Sequence, residues 1–114
     1  MALGKRQEAS EKYEEILKSP SWRGESYAEA LFKLGNIARD AKDPNKAIMY
    51  YERCFLGYAN CYNWTGKAVI QAAKVLAAEG KRDEGRAICK EFVGNEENKK
   101  SPDYEEVKQL ELTI

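Results

Sequence analysis

Apolar residues along this chain recur three and four positions apart, and short polar stretches interrupt them at regular intervals. The clearest run is AEALFKLGNIARDAKDPNKAIMYYERCF, from Ala28 to Phe55. Its first half carries Ala28, Leu31, Leu34, Gly35 and Ala38 on one stripe and predicts a helix over 25–41. Asp43-Pro44 then supplies an N-cap and a proline for the first helical position. Ala47, Ile48, Tyr51, Cys54, Phe55 and Tyr58 continue the pattern in a second helix over 44–58. Upstream, Ala9, Tyr13, Ile16 and Leu17 predict a helix over 5–18. Ser19-Pro20-Ser21 stops it, because a residue before proline is pushed out of the α region, and Trp22 and Gly24 fall in the connection. Downstream, 60–63 reads as a break, followed by helices over 64–79 (Val69, Ala72, Ala73, Leu76) and 82–93 (Ile88, Cys89, Phe92, Val93), with Gly80 between them. Residues 94–100 are polar and are expected to be loose. Ser101-Pro102-Asp103 starts a last helix over 104–112. No stretch alternates with period two for long enough to predict a strand, so the fold class is all-α with about six helices.

These helices repeat. At an offset of 38, Gly4, Lys42 and Gly80 coincide at the turn, and Ala9, Ala47 and Gly85 coincide as small residues. Tyr13, Tyr51 and Cys89 share a column, as do Leu17, Phe55 and Val93. The other helix of each unit aligns Leu31, Val69 and Val107, then Leu34, Ala72 and Leu110, then Ala38, Leu76 and Ile114. Gly35 meets Ala73 and then Glu111, which breaks its column. Small residues suit the crossing point of two close helices, so Gly35 and Ala47 are expected to face each other there. One unit leaves an apolar face uncovered, and stacking the next unit covers it, which yields a solenoid.

Leu31-x2-Leu34-Gly35-x2-Ala38 followed by Ala47-x3-Tyr51-x2-Cys54 resembles the tetratricopeptide repeat, whose pattern is W-x2-L-G-x2-Y…A-x3-F. The likeness is good from Ala28 to Phe55 and thinner from Gly66 to Phe92. The period of 38 exceeds the family's ~34, Leu31 stands for the tryptophan and Ala38 for the tyrosine. A weaker similarity is to repeats of this kind in bacterial cell-envelope proteins. The resemblance implies antiparallel helical hairpins stacked as a short right-handed solenoid. In that scheme 1–114 is one repeat domain, a fragment of a longer chain, with a lone second helix (5–18), a complete repeat (25–58), a divergent repeat (64–94) and a lone first helix (103–113). It also implies a non-catalytic module that binds a protein or peptide in a concave groove lined by the first helices. Carried onto this chain, the groove positions are Glu29, Phe32, Asn36 and Arg39, then Lys67, Ile70, Lys74 and Ala77, then Glu105, Lys108 and Leu112. Asn36 and Lys67 match contacts that some family members make to a peptide carboxylate. Phe32 stands where those members carry lysine and Gln71 where they carry asparagine, so the carboxylate clamp is incomplete and that ligand is not expected.

Composition narrows the rest. Nineteen basic and nineteen acidic residues cancel, and Lys81-Arg82 and Lys99-Lys100 are short and interleaved with acids, so no basic track for nucleic acid forms. No apolar run approaches the roughly 18 residues of a membrane span. The chain has no histidine, so the commonest general base and the His-paired nucleophiles are absent, and no Gly-rich phosphate loop occurs. Glu14-Glu15, Glu96-Glu97 and Glu105-Glu106 are adjacent and splay apart on a helix. Catalysis is not expected, nor is a cofactor. Cys54, Cys61 and Cys89 lack paired-ligand spacing, so no metal site is expected. Cys54 and Cys89 read as buried, and Cys61 is open to either reading. The alternative function is self-association, a homodimer through incomplete repeat ends: Tyr13, Ile16 and Leu17 at one end, Val107 and Leu110 at the other.

Overall fold

A computed structural model describes residues 3–18 and 24–114, with side chains from residue 8 onward. Six α-helices follow one another: α1 (Leu3–Lys18), α2 (Glu25–Asp40), α3 (Pro44–Gly57), α4 (Tyr62–Ala78), α5 (Arg82–Gly94) and α6 (Tyr104–Thr113). The expected stop at Ser19-Pro20-Ser21 and the place of Trp22 lie outside the described residues. Among the described residues there is no strand. The molecule is a slab of 38 × 31 × 17 Å, in which each helix packs on the next.

The repeat is written into the turns. Asp43 N–H donates to Ala38 O at 2.9 Å and Lys42 N–H to Arg39 O at 3.0 Å. Shifted by 38, Lys81 N–H donates to Leu76 O at 2.8 Å and Gly80 N–H to Ala77 O at 3.1 Å. Both are Schellman closures, in which a left-handed residue turns the chain back so that the last carbonyls are satisfied. The left-handed residue is Gly80 (φ 80°) in the later turn and Lys42 (φ 62°) in the earlier one. The Asp43 carboxylate accepts from Lys46 N–H at 3.2 Å, with Pro44 at the first helical position. The cap-then-proline signal at Asp43-Pro44 therefore does what its chemistry predicts.

Two corrections concern element limits. Helix α4 begins at Tyr62, two residues before the expected start, because the Cys61 carbonyl already accepts from Trp64 and Thr65 N–H. Residues expected to be loose form a 3-10 turn, Glu96–Lys100. Asn95 caps it by accepting from Glu97 N–H at 3.1 Å, and the buried Asn98 amide donates to Phe92 O at 2.9 Å.

The core has two linked parts. The first joins Leu31, Leu34, Tyr51 and Cys54 to Ala68 and Ala72, with Tyr13 and Leu17 of α1 packed against it. The second gathers Val69, Ile70, Ala73, Cys89, Phe92 and Val107. Cys54, Cys61 and Cys89 are all buried free thiols, which settles Cys61 as a core residue. Small residues stand where the helices of each unit cross closely. Gly35 lies against the ring of Tyr51, so close that an added Cβ would overlap the ring edge, with Cδ1 at 2.6 Å. In the next unit the close approach is Gly85 against the backbone carbonyl of Ala73, where an added Cβ would sit at 2.9 Å. Ala73 and Gly85 are the 38-residue counterparts of Gly35 and Ala47.

Helix α2 also contacts α4, and α4 contacts α6, whereas the backbones of α3 and α5 stay further apart and meet only through side chains such as Phe55 and Ile88. The stack therefore curves with α2, α4 and α6 on its inner side.

Candidate functional site

The inner side is where the expected groove residues fall, and the structure sorts them into three kinds. Phe32 and Ile70 belong to the core, at 9% and 3% exposure. The expectation that they stand in an open groove is corrected. Phe32 lies between the rings of Tyr51 and Trp64, with centroids 6.0 and 5.8 Å away. Ile70 packs in the cluster that Val107 of α6 closes. Each is covered by the helix of the following unit, which a position-by-position transfer along a single helix does not include.

Asn36, Arg39 and Lys67 face the inner side but are engaged within the protein. Asn36 Oδ1 accepts a 2.6 Å hydrogen bond from Tyr51 O–H. Burial pushes the Tyr51 phenol up to about 12, with the Arg39 guanidinium opposing the shift, so it stays a donor over the physiological range. Arg39 donates to Gln71 Oε1 at 2.6 Å across to α4 and pairs with Asp40 at 3.2 Å. Lys67 pairs with Asp103 at 2.8 Å, tying α4 to the start of α6. Burying one end of such a pair raises its worth above that of a fully solvated pair, and both ends here retain some water contact.

Glu29, Lys74, Glu105 and Lys108 complete the surface. Glu29 is half-buried and the other three are exposed. Two residues outside the expected set join them: Trp64 is half-buried, and the Lys33 ammonium stands 5.9 Å from its ring centre. A tryptophan at the first turn of α4, one repeat boundary beyond Phe32, is the sequence signal that could have located this cluster. The arrangement is a polar surface of mixed charge around a half-open tryptophan, suited to contacts with another polypeptide.

The residues expected at the self-association faces are placed as follows. Tyr13, Ile16 and Leu17 on α1 and Leu110 on α6 are half-buried. Val107, expected to be part of an uncovered face, is instead 0% exposed, because α4 and α5 close over it. Burial pushes the Cys54 thiol up to about 12 and Cys89 to about 11, so both are protonated and unreactive at neutral pH. Among the described residues no group of three or more His, Cys, Asp or Glu could hold a metal ion, and no helix is long and apolar enough to cross a membrane.

The geometry of α2 and α3 carries the likeness to known proteins. Residues 29–60 match the tetratricopeptide repeat. The match begins at Glu29 in α2, runs through the Schellman turn and all of α3, and ends just before α4. The helical pair that it covers matches the repeat in sequence, and the all-α stack of six helices is consistent with a helical repeat of that type. No curated protein and no solved structure gives a match. The match speaks to the repeat and carries nothing about the cell envelope.

Proposed function

We propose that the chain is a non-catalytic protein–protein interaction module, and that its partner is a protein or peptide held against the inner surface of α2, α4 and α6. The observation that carries this reading is the contact of α2 with α4 and of α4 with α6, which makes one continuous inner face across a stack of tetratricopeptide type. Glu29, Lys74, Glu105 and Lys108 are the side chains there with room for a partner, and Trp64 with Lys33 supplies an amphipathic anchor. Tetratricopeptide repeats generally bind proteins, and a surface of mixed charge fits a polypeptide better than a polyanion.

The test places a photo-crosslinking amino acid at position 74 on the inner face and, separately, at position 90 on the exposed side of α5. The expected result is a partner adduct from position 74 that Glu29→Lys with Lys108→Glu abolishes, and none from position 90. Equal labelling from both positions would refute the inner-face assignment.

A second reading is self-association through α6, favoured by one observation: Leu112 is 74% exposed beside half-buried Leu110. Light scattering would report a dimer for the purified chain, and Leu110→Glu with Leu112→Glu would return it to monomer. A monomer at all concentrations removes this reading.

A further inference from the structure

The charges of the inner face are sorted into rows. Glu29, Lys33, Asn36 and Asp40 share one stripe of α2, spaced four, three and four residues apart. Shifted by 38, the stripe on α4 is Lys67, Gln71, Lys74 and Ala78, and α6 continues it with Glu105, Gln109 and Leu112. The acids stand in the end rows. Glu29 and Glu105 share the first row with Lys67, which is already paired with Asp103 at 2.8 Å. In the last row Asp40 accepts from Arg39 at 3.2 Å. The two middle rows, one of Lys33, Gln71 and Gln109 and one of Asn36, Lys74 and Leu112, contain no carboxylate.

Hydrogen bonding turns the middle of the face into a set of donors. Arg39 has only N–H groups to offer, so Gln71 presents its oxygen to it, at 2.6 Å. The NH2 group of Gln71 is thereby left for the groove. Tyr51 is fully buried and donates its O–H to Asn36 Oδ1 at 2.6 Å, which fixes the Asn36 amide in the same sense. Among the described residues neither NH2 group donates to a protein acceptor. Lys33 is half-buried over the Trp64 ring, and Lys74 is exposed. The bond from Arg39 to Gln71 shows that the stripes of α2 and α4 meet. In a chain of zero net charge, the middle rows therefore hold two ammonium groups and two outward amide donors with no acid among them.

A carboxylate satisfies several such donors at once. Backbone carbonyls alone would meet the amides and leave both ammonium charges uncompensated, and a polyanion would meet Glu29 and Glu105 in the next row. Trp64 lies on the same stripe of α4, seven residues and about 10 Å before Gln71. About three residues of extended chain span that distance.

We propose, resting on the inner-face reading above, that the space between α2 and α4 takes an internal acidic segment of a partner protein. An Asp or Glu side chain of the segment bonds to the NH2 groups of Asn36 and Gln71 between Lys33 and Lys74, and an apolar residue about three positions away lies on Trp64. A side-chain carboxylate and not a chain terminus is the occupant, because nothing closes the face beyond the middle rows: Asp40 and Ala78 are exposed and leave the segment room to run on.

The test is a two-dimensional NMR titration of the full chain with the heptapeptides LSSESSL, LSSQSSL and LSSKSSL, acetylated and amidated so that they carry no terminal charge. LSSESSL is expected to give saturable shifts in the side-chain NH2 signals of Asn36 and Gln71 and in the Trp64 indole N–H. LSSQSSL is expected to bind roughly tenfold more weakly, having lost the charge from its hydrogen bonds, and LSSKSSL to give no shifts there. Lys33→Glu with Lys74→Glu should lose LSSESSL and gain LSSKSSL at unchanged helical ellipticity, whereas Lys90→Glu on α5 should change nothing. Equal affinity for the glutamate and glutamine peptides, a reversed variant that still prefers glutamate, or no saturable shift with any peptide overturns the acidic segment. LSSQSSL with a free C-terminal carboxylate, binding as tightly as LSSESSL, overturns the internal residue in favour of a chain terminus. A partner cross-link at position 74 that survives any of these results leaves the inner-face reading standing, and its loss together with them removes both.

Discussion

Replacing Gly35 by alanine tests the packing of the first complete repeat, because two effects of opposite sign meet at this position. In a helix interior alanine is favoured over glycine by about 1 kcal/mol. Against that, the new Cβ would overlap the edge of the Tyr51 ring, with Cδ1 at 2.6 Å. The ring has no freedom to retreat: Tyr51 is fully buried, and its hydroxyl is held by Asn36 at 2.6 Å. Overpacking of this kind costs about 1–3 kcal/mol, and a ring pinned at both ends places the cost in the upper part of that range. The net expectation is a destabilisation of about 1–2 kcal/mol after the helix gain is deducted. That is a large share of the roughly 5–15 kcal/mol available to a domain. Urea unfolding followed by helical ellipticity reads it as a lower midpoint with an unchanged slope. Gly57 in α3 is the contrast, since an added Cβ meets nothing within 4 Å there, and Gly57→Ala should be neutral or stabilising. Combining Gly35→Ala with Tyr51→Ala removes the obstacle, so in that background the same substitution should raise stability. A Gly35→Ala midpoint at or above that of the parent chain would refute the close-packed crossing.

Other outcomes follow from single features. Lys42→Gly should stabilise by about 0.5–1 kcal/mol, since Lys42 holds a left-handed φ of 62° where Gly80 serves the later turn; thermal melts check it. Asp103→Asn should cost about 0.5–1 kcal/mol and lose its effect in high salt, because it breaks the 2.8 Å pair with Lys67; urea midpoints at two salt concentrations decide this. Burial raises the Cys54 thiol from 9.0 to about 12, Cys89 from 9.0 to about 11 and the Tyr51 phenol from 10.0 to about 12. The unfolded chain therefore gives up these protons first. Stability from these groups is complete below about pH 9 and falls as pH rises towards 11–12, at about 1.4 kcal/mol per pH unit for each ionising group. A midpoint that is flat from pH 8 to 10.5 would contradict their burial.

The architecture was legible because its signals are local. Apolar spacing marks each helix, Asp43-Pro44 marks a start, and Lys42 and Gly80 share a column at the turns that the Schellman bonds close, whereas Gly4 of that column lies within α1. The misread places depend on what arrives from another unit. Phe32 neighbours Leu31 in sequence and looks like an outward residue on α2 alone; Trp64, 32 positions later, covers it. Val107 seems to lie on an end face until α4 and α5 are seen to close over it. The polar run 96–100 has no apolar period to read, and its 3-10 turn is held by the side chains of Asn95 and Asn98 bonding to backbone.

The same dependence changes how the inner face must be probed. Arg39 bonds to Gln71 across 32 positions, and Lys67 to Asp103 across 36, close to one repeat length. Asn36 is likewise committed to Tyr51. These polar side chains hold one unit to the next or one helix to its mate, so they set the curvature of the surface that they line. Substituting any of them alters the frame as well as the contact, and a loss of partner binding there would not separate the two causes. Lys74 and Lys108 lie on the same face and are exposed, and among the described residues no charge pairing ties them to a neighbouring helix. Charge reversal at those two positions should therefore leave Tm unchanged while altering the affinity for a partner on this face. A fall in Tm equal to that of Asp103→Asn would place them in the frame instead and move the binding surface elsewhere on the molecule.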